Sequence, residues 1–234
     1  MFGHTRKILN STMKTSDKIR ARLKRLEKRY FSNDNISEAL IPGDEERLIK
    51  EVATEMESVL QALVIDTKND HNTKETAMRV AKMFVTEIFA GRYQDPPAIT
   101  AFPNELEYDQ LYVTGPITIR STCAHHIMPI VGKAYVGVFP GRKVIGLSKF
   151  NRIADWITSR PQIQEEMTMQ LADAIEVETE ADGIAVLIQA EHFCMTHRGV
   201  REHQSDMTTS VLRGTMRDTP ELRQEFFNII ARMK

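Results

Sequence analysis

Between positions 44 and 95, apolar residues recur at the three- and four-residue spacing of a helix face. Leu48, Val52, Met56, Val59, Leu60 and Leu63 form one stripe behind Asp44, a residue type that caps helix N-termini. After a polar turn over 66–72, Thr73 leads into a second stripe of Val80, Met83, Phe84, Ile88 and Phe89, and Gly91 predicts its end. The period changes after Pro96 and Pro97. Alternating or β-branched runs over 111–114, 117–120 and 134–139 predict strands, the last stopped by Pro140 and Gly141. Helical patterns follow over 148–157 and 162–178, then strands over 185–194 and 208–216, then a closing helix over 220–233. This order predicts an α+β fold, an antiparallel sheet backed by a helix pair and preceded by N-terminal helices.

Ahead of this pattern, residues 1–30 hold ten Lys/Arg against two acids, and 31–42 is rich in Ser, Asn and Asp. The first stretch reads as a basic, solvated, partly helical arm and the second as a linker. The expected organisation is therefore an arm and linker over 1–43 and a domain over 44–234, with helices over 44–95 and a core over 108–234. Over the whole chain, 31 Lys/Arg balance 32 Asp/Glu, for a net charge of -1. That balance argues against a nucleic-acid coat or a membrane-surface protein. No apolar run approaches the roughly 20 residues that span a bilayer, and the N-terminus lacks the apolar stretch of a secretory signal, so a cytoplasmic location is expected.

Chemistry concentrates in two short stretches. Cys123, His125 and His126 lie within four residues, and His192, Cys194 and His197 within six; together they take both cysteines and four of the seven histidines. Thiolates and imidazoles are the donors zinc prefers, normally four in number. Two thiolates and one imidazole leave a position for water, the catalytic pattern, whereas a closed Cys2His2 set would be structural. Ordinary buried cysteines beside unrelated histidines are the third reading. Histidines not on the metal are suited to proton transfer near neutral pH. His192 and Cys194, two apart on a predicted strand, are expected to share one face.

Between these clusters Ser148 reads as an N-cap, with Lys149 and Arg152 three apart on the helix it opens. A helix N-terminus with two cations suits an anion, although such a face is often merely solvated. Arg198, four residues after Cys194, adds a forked donor for phosphate. Glu165 and Glu166 open the next helix; a carboxylate there complements either the N1 and N2 donors of guanine or simply the helix dipole.

Taken in order, these blocks resemble the GTP cyclohydrolase I family. Cys123, Ala124, His125 and His126 stand at its Cys-Glu-His-His block, followed by Pro129, Gly132 and Lys133. Gly146, Leu147, Ser148 and Lys149 match its Gly-Leu-Ser-Lys block, with Arg152 after it. Residues 160–165, from Arg160 to Glu165, match its Arg-Pro-Gln-Val-Gln-Glu block, and His192, Phe193 and Cys194 its His-x-Cys block, leading to Arg198 and Gly199. The stretch from Arg79 to Gly91 fits as well, and the likeness runs from about Asp44 to the C-terminus.

The resemblance implies a tunnelling fold and zinc on Cys123, His126 and Cys194, with His125 and His192 as the acid/base pair. Ser148, Lys149, Arg152 and Arg198 would grip a triphosphate, and Glu165, helped by Gln164, would read guanine. Arg79 and Lys82 would reach the triphosphate of a neighbouring subunit in a ring-shaped homo-oligomer, usually a decamer. The implied reaction is hydrolysis at C8 of GTP, releasing formate and giving 7,8-dihydroneopterin triphosphate. Two residues depart from the pattern: Ala124 replaces a Glu, and Ala77 a Pro. The competing readings are another tunnelling-fold enzyme acting on a purine or pterin, and a non-catalytic zinc protein whose basic arm meets nucleic acid.

Overall fold

The computed structural model describes residues 13–233; the first twelve residues of the expected arm lie outside it. The chain divides between Asp95 and Pro96 into two compact units.

In the N-terminal unit, α1 (Thr15–Arg25) buries Thr15, Ile19 and Leu23, one residue per turn, while Arg20, Lys24 and Arg25 stay at the surface. Ile19 and Leu23 pack in one cluster with Ile36, Ala39, Leu48 and Val85. This part of the chain is therefore not the solvated arm and linker expected. Its apolar seam is only one residue wide and is diluted by the charges around it. Each side chain so buried contributes roughly 1.5–3 kcal/mol. A 3-10 turn, Ser37–Ala39, leads to α2 (Asp44–Ala62). Gly43, at φ 82°, occupies the cap position rather than Asp44. The Asp44 carboxylate is instead buried, paired with Arg22 and with Arg47 at 2.8 Å, and accepts from the Ile41 N–H at 3.2 Å. Burial works against its charge, but the bonds from Arg47 and Ile41 and the Arg22 charge prevail and hold its carboxyl below the ordinary range.

The predicted stripe of α2 is buried at Leu48 and Leu60, whereas Val59 and Leu63 are exposed. α3 (Thr76–Met83) buries Ala77 and Ala81, and Val85 continues their line into a π-helical turn, Phe84–Ile88. The predicted stripe residues Val80, Met83, Phe84, Ile88 and Phe89 are only half-buried. Gly91 lies inside the short α4 (Ala90–Tyr93) rather than ending the helix before it.

In the second unit, β1 (Ala101–Pro103) pairs with β4 (Lys143–Ile145), apart from the main sheet. The main sheet is assembled from β2 (Tyr112–Cys123), β3 (Pro129–Phe139), β5 (Pro161–Gln162), β6 (Gly183–His192) and β7 (Met207–Gly214), in the order β5-β2-β3-β6-β7. All neighbours are antiparallel except β2 and β5. The two strands expected over 111–120 are one, with a register shift between Thr114 and Ile117.

Two helices, α5 (Leu147–Thr158) and α6 (Gln164–Thr179), cover one face. Phe150, Ile153, Ile157, Met167, Leu171 and Ile175 pack there against alternate sheet residues such as Ala134, Val136, Ile184, Val186 and Ile188. Beyond β6, α7 (Phe193–Thr196) is a single helical turn, so Cys194 is not on the strand with His192 as expected. The opposite sheet face is covered by α8 (Thr215–Asp218) and α9 (Pro220–Arg232), through Met216, Phe226 and Ile230. A Cβ at position 137 would lie 2.6 Å from the Phe226 ring, so Gly137 is what lets α9 lie this close. The α+β class and the helix-backed sheet agree with the sequence pattern.

Candidate metal centre and active site

Strand order brings the two Cys/His stretches together. β2 ends at Cys123, and the chain reverses through 124–128, closed by hydrogen bonds from the Cys123 N–H to Met128 O (2.8 Å) and from the Ile127 N–H to Cys123 O (2.9 Å). β3 then starts beside the end of β6, where Ile130 faces His192. The turn carrying His125 and His126 is thereby set next to His192, and α7 adds Cys194. The Cys123 and Cys194 sulfurs and a His126 ring nitrogen all lie within 4.8 Å of one another. Cys123 is buried, His126 exposed and Cys194 in between, so the group opens on one side. Two soft sulfurs and an imidazole this close together suit a single zinc ion. Burial pushes the Cys194 thiol up, as does the neighbouring Cys123, while Arg198 pulls the other way.

Among the described residues His125 is not part of this group; its Nδ1 lies 3.9 Å from the Cys123 sulfur and its ring is exposed. His197, exposed, is outside it too. Arg198 Nη1 sits 2.9 Å from His126 Nε2, and a guanidinium only donates, so His126 presents a lone pair there.

His192 is half-buried, with Nε2 2.8 Å from Gln164 Oε1. Burial lowers its pKa from the ordinary imidazole value, and the Glu165 charge opposes that in part. Glu165, exposed on the first turn of α6, is thus electrically in reach of His192. Gln164 departs from expectation. It is fully buried, and its Nε2 faces Ile188 O (3.1 Å), Met207 O (3.0 Å) and Thr209 Oγ1 (3.0 Å), so its amide is turned into the fold rather than outward beside Glu165. Thr168 and Thr209, which join this network, carry no motif in the sequence; the one available signal was that Thr168 lies a helical turn after Gln164.

Ser148 is the second residue of α5, not its cap, which is Gly146. Ser148 and Arg152 are exposed on the first turns, and Lys149 Nζ donates to Ala98 O at 3.1 Å. Arg79 and Lys82 belong to α3 in the N-terminal unit; both are exposed, and Arg79 pairs with Glu75 at 2.9 Å. Ala124 sits within the turn between the ligands, its N–H on Gln162 O at 3.1 Å.

The family model for GTP cyclohydrolase I matches residues 49–231. The chain belongs to the GTP cyclohydrolase I family. Within that family it is 38% identical over 206 residues to GTP cyclohydrolase 1 of Vibrio vulnificus (strain YJ016), covering 87% of this chain and 94% of that one. It is 39% identical over 188 residues to GTP cyclohydrolase 1 of Flavobacterium johnsoniae, covering 80% and 83%. With the protein of the same name from Photobacterium profundum it shares 42% over 174 residues, covering 74% and 80%. An apo archaeosine synthase QueF-like structure overlaps 45% of the chain at 13% identity and a TM-score of 0.36. As a member of the GTP cyclohydrolase I family the chain is an enzyme. The matched region spans both Cys/His stretches, the start of α5 and α3, and leaves α1 outside.

Proposed function

We propose that this enzyme hydrolyses GTP at C8, releasing formate and forming 7,8-dihydroneopterin 3'-triphosphate, with zinc as its cofactor. The observation that carries this reading is the convergence of Cys123, His126 and Cys194 with His192 and Arg198 beside them. When bound, zinc supplies the Lewis acidity that makes water nucleophilic near neutral pH. The remaining work belongs to side chains. His192, set in the wall of the site, and His125, exposed at its mouth, move protons to and from the purine ring nitrogens, each worth about 10²–10⁴-fold in rate. Glu165 accepts from the N1 and N2 edge of guanine. Ser148, Lys149, Arg152 and Arg198 hold the triphosphate.

Arg198 has a second part. Once His126 serves as a ligand through one nitrogen, the other carries a proton and no longer accepts from a guanidinium. Arg198 is then released toward the anion. Arg79 and Lys82 complete the phosphate grip from a neighbouring copy, in a homo-oligomer that we take to be a decamer of tunnelling-fold subunits. The half-buried Val80, Met83, Phe84, Ile88 and Phe89 fit a surface covered by such a neighbour. Among the described residues no helix is long and apolar enough to cross a membrane, in keeping with a cytoplasmic enzyme. The product would feed pterin synthesis for folate, biopterin or 7-deazaguanine. All proposed ligands and proton carriers are present despite Ala124, so turnover is expected. Incubation of zinc-loaded protein with GTP should release formate and, after oxidation, a fluorescent pterin; GTP bound but unchanged would show a binding role instead.

A further inference from the structure

We propose that Gln164 is a positioning residue that fixes the tautomer of His192, so that proton exchange with substrate takes place at Nδ1. This rests on the reading of His192 as a proton carrier and deepens it.

The two ends of the Gln164 amide are told apart by the partners each one faces. One end meets two backbone carbonyls, Ile188 O at 3.1 Å and Met207 O at 3.0 Å. Carbonyls only accept, so that end must be the NH2 group. The threonines agree. Thr168 Oγ1 donates to Gln164 O at 2.7 Å, which leaves it to accept from Thr209 across 2.6 Å. With its proton spent there, Thr209 Oγ1 can offer only lone pairs to Gln164 Nε2, 3.0 Å away, whose two protons it shares with the two carbonyls. Turning the amide over would set its oxygen against two carbonyls in a fully buried place, where each lost bond is costly. Hence Oε1 faces His192, and it can only accept. His192 Nε2, at 2.8 Å, must carry the proton. In a neutral imidazole the lone pair is then on Nδ1. The network ties β6, β7 and α6 together, so the ring orientation is held by the body of the fold and not by the loop that carries Cys194. Gln164 and Glu165 are neighbours in sequence with opposite tasks, one turned into the fold and one exposed.

The direct test is a neutron structure of the zinc-loaded protein exchanged into deuterium oxide. Deuterium on His192 Nε2, with Nε2 toward Gln164, is the expected result; a neutral ring deuterated on Nδ1 alone overturns the proposal. Kinetics give an independent reading. Gln164→Met should lower kcat for GTP by about 10²-fold, within the range of general acid–base effects, with KM changed less than about threefold and zinc content unchanged. Gln164→Glu, which still offers His192 an acceptor, should recover part of that loss. A rise in KM of tenfold or more with kcat intact would show that Gln164 binds the base and would overturn the proposal. Should Gln164→Met fail to fold, Thr209→Val serves, and a kcat equal to wild type in that variant counts against the relay. Absence of turnover in wild-type protein sinks the proposed reaction but leaves the neutron result standing.

Discussion

The wall and the rim of the site are built differently. Cys123, Gln164 and His192 stand on the sheet or at the start of α6, buried or half-buried, and Gln164 and His192 Nε2 are held by fixed partners. His125, His126, Glu165 and Arg198 are exposed, on a turn, a helix start and a loop. The wall groups are those whose orientation must already be right when a substrate arrives, and burial among backbone acceptors supplies that without reorganisation. The rim groups must exchange partners, as we propose for Arg198, which contacts His126 here and would turn to an anion, and exposure keeps that exchange cheap.

If the contrast holds, the largest effect comes from the residue that joins both parts. Cys194→Ala should lose zinc and turnover together, by at least about 10³-fold, the loss of several kcal/mol of charge stabilisation; elemental analysis beside a formate assay checks it, and retained activity breaks the ligand assignment. Next is His192→Ala in the wall, expected to keep zinc while kcat falls about 10²–10⁴-fold. At the rim, Arg198→Ala should act on binding: KM for GTP rises about 10- to 100-fold, as for a lost charge-assisted bond, with kcat changed far less. A kcat effect there equal to that of His192→Ala would erase the distinction between the two regions.

The smallest effect is on stability. Burial lowers the folded-state pKa of His192, so below the ordinary imidazole value the unfolded chain binds more protons than the folded one. The stability that neutral His192 contributes is present above that value and is lost as pH falls below it. In chelator-treated protein, His192→Asn should therefore show a shallower fall in melting temperature between pH 7 and pH 5 than wild type.

Long amphipathic periods and strand alternation were legible in the sequence because burial imposes them. A partly helical arm was expected, but the burial of α1 was missed, since Ile19 and Leu23 are spaced one per turn among cations, too thin a seam to stand out. In α3 the inward line is Ala77, Ala81 and Val85, and small residues leave a weak hydrophobic signal even where the backbone is most tightly packed. The candidate metal donors stood out in the sequence as residue types zinc prefers, and the fold brings Cys123, His126 and Cys194 together as a group that could hold an ion. The setting of Gln164 was not. Its spacing with Thr168, Leu171 and Ile175 puts Gln164 on the inward face of α6, but its partners Ile188, Met207, Thr209 and His192 come from strands distant in sequence, which no local pattern reveals. The turn at α7 was hidden likewise, since no Gly or Pro separates the end of β6 from Phe193 and Cys194.

Zinc content of turnover-competent protein tests the central claim most directly. The expected result is about one zinc per chain, lost on chelation together with formate release, both returning when the metal is added back. Undiminished formate release from protein stripped of every metal would contradict it.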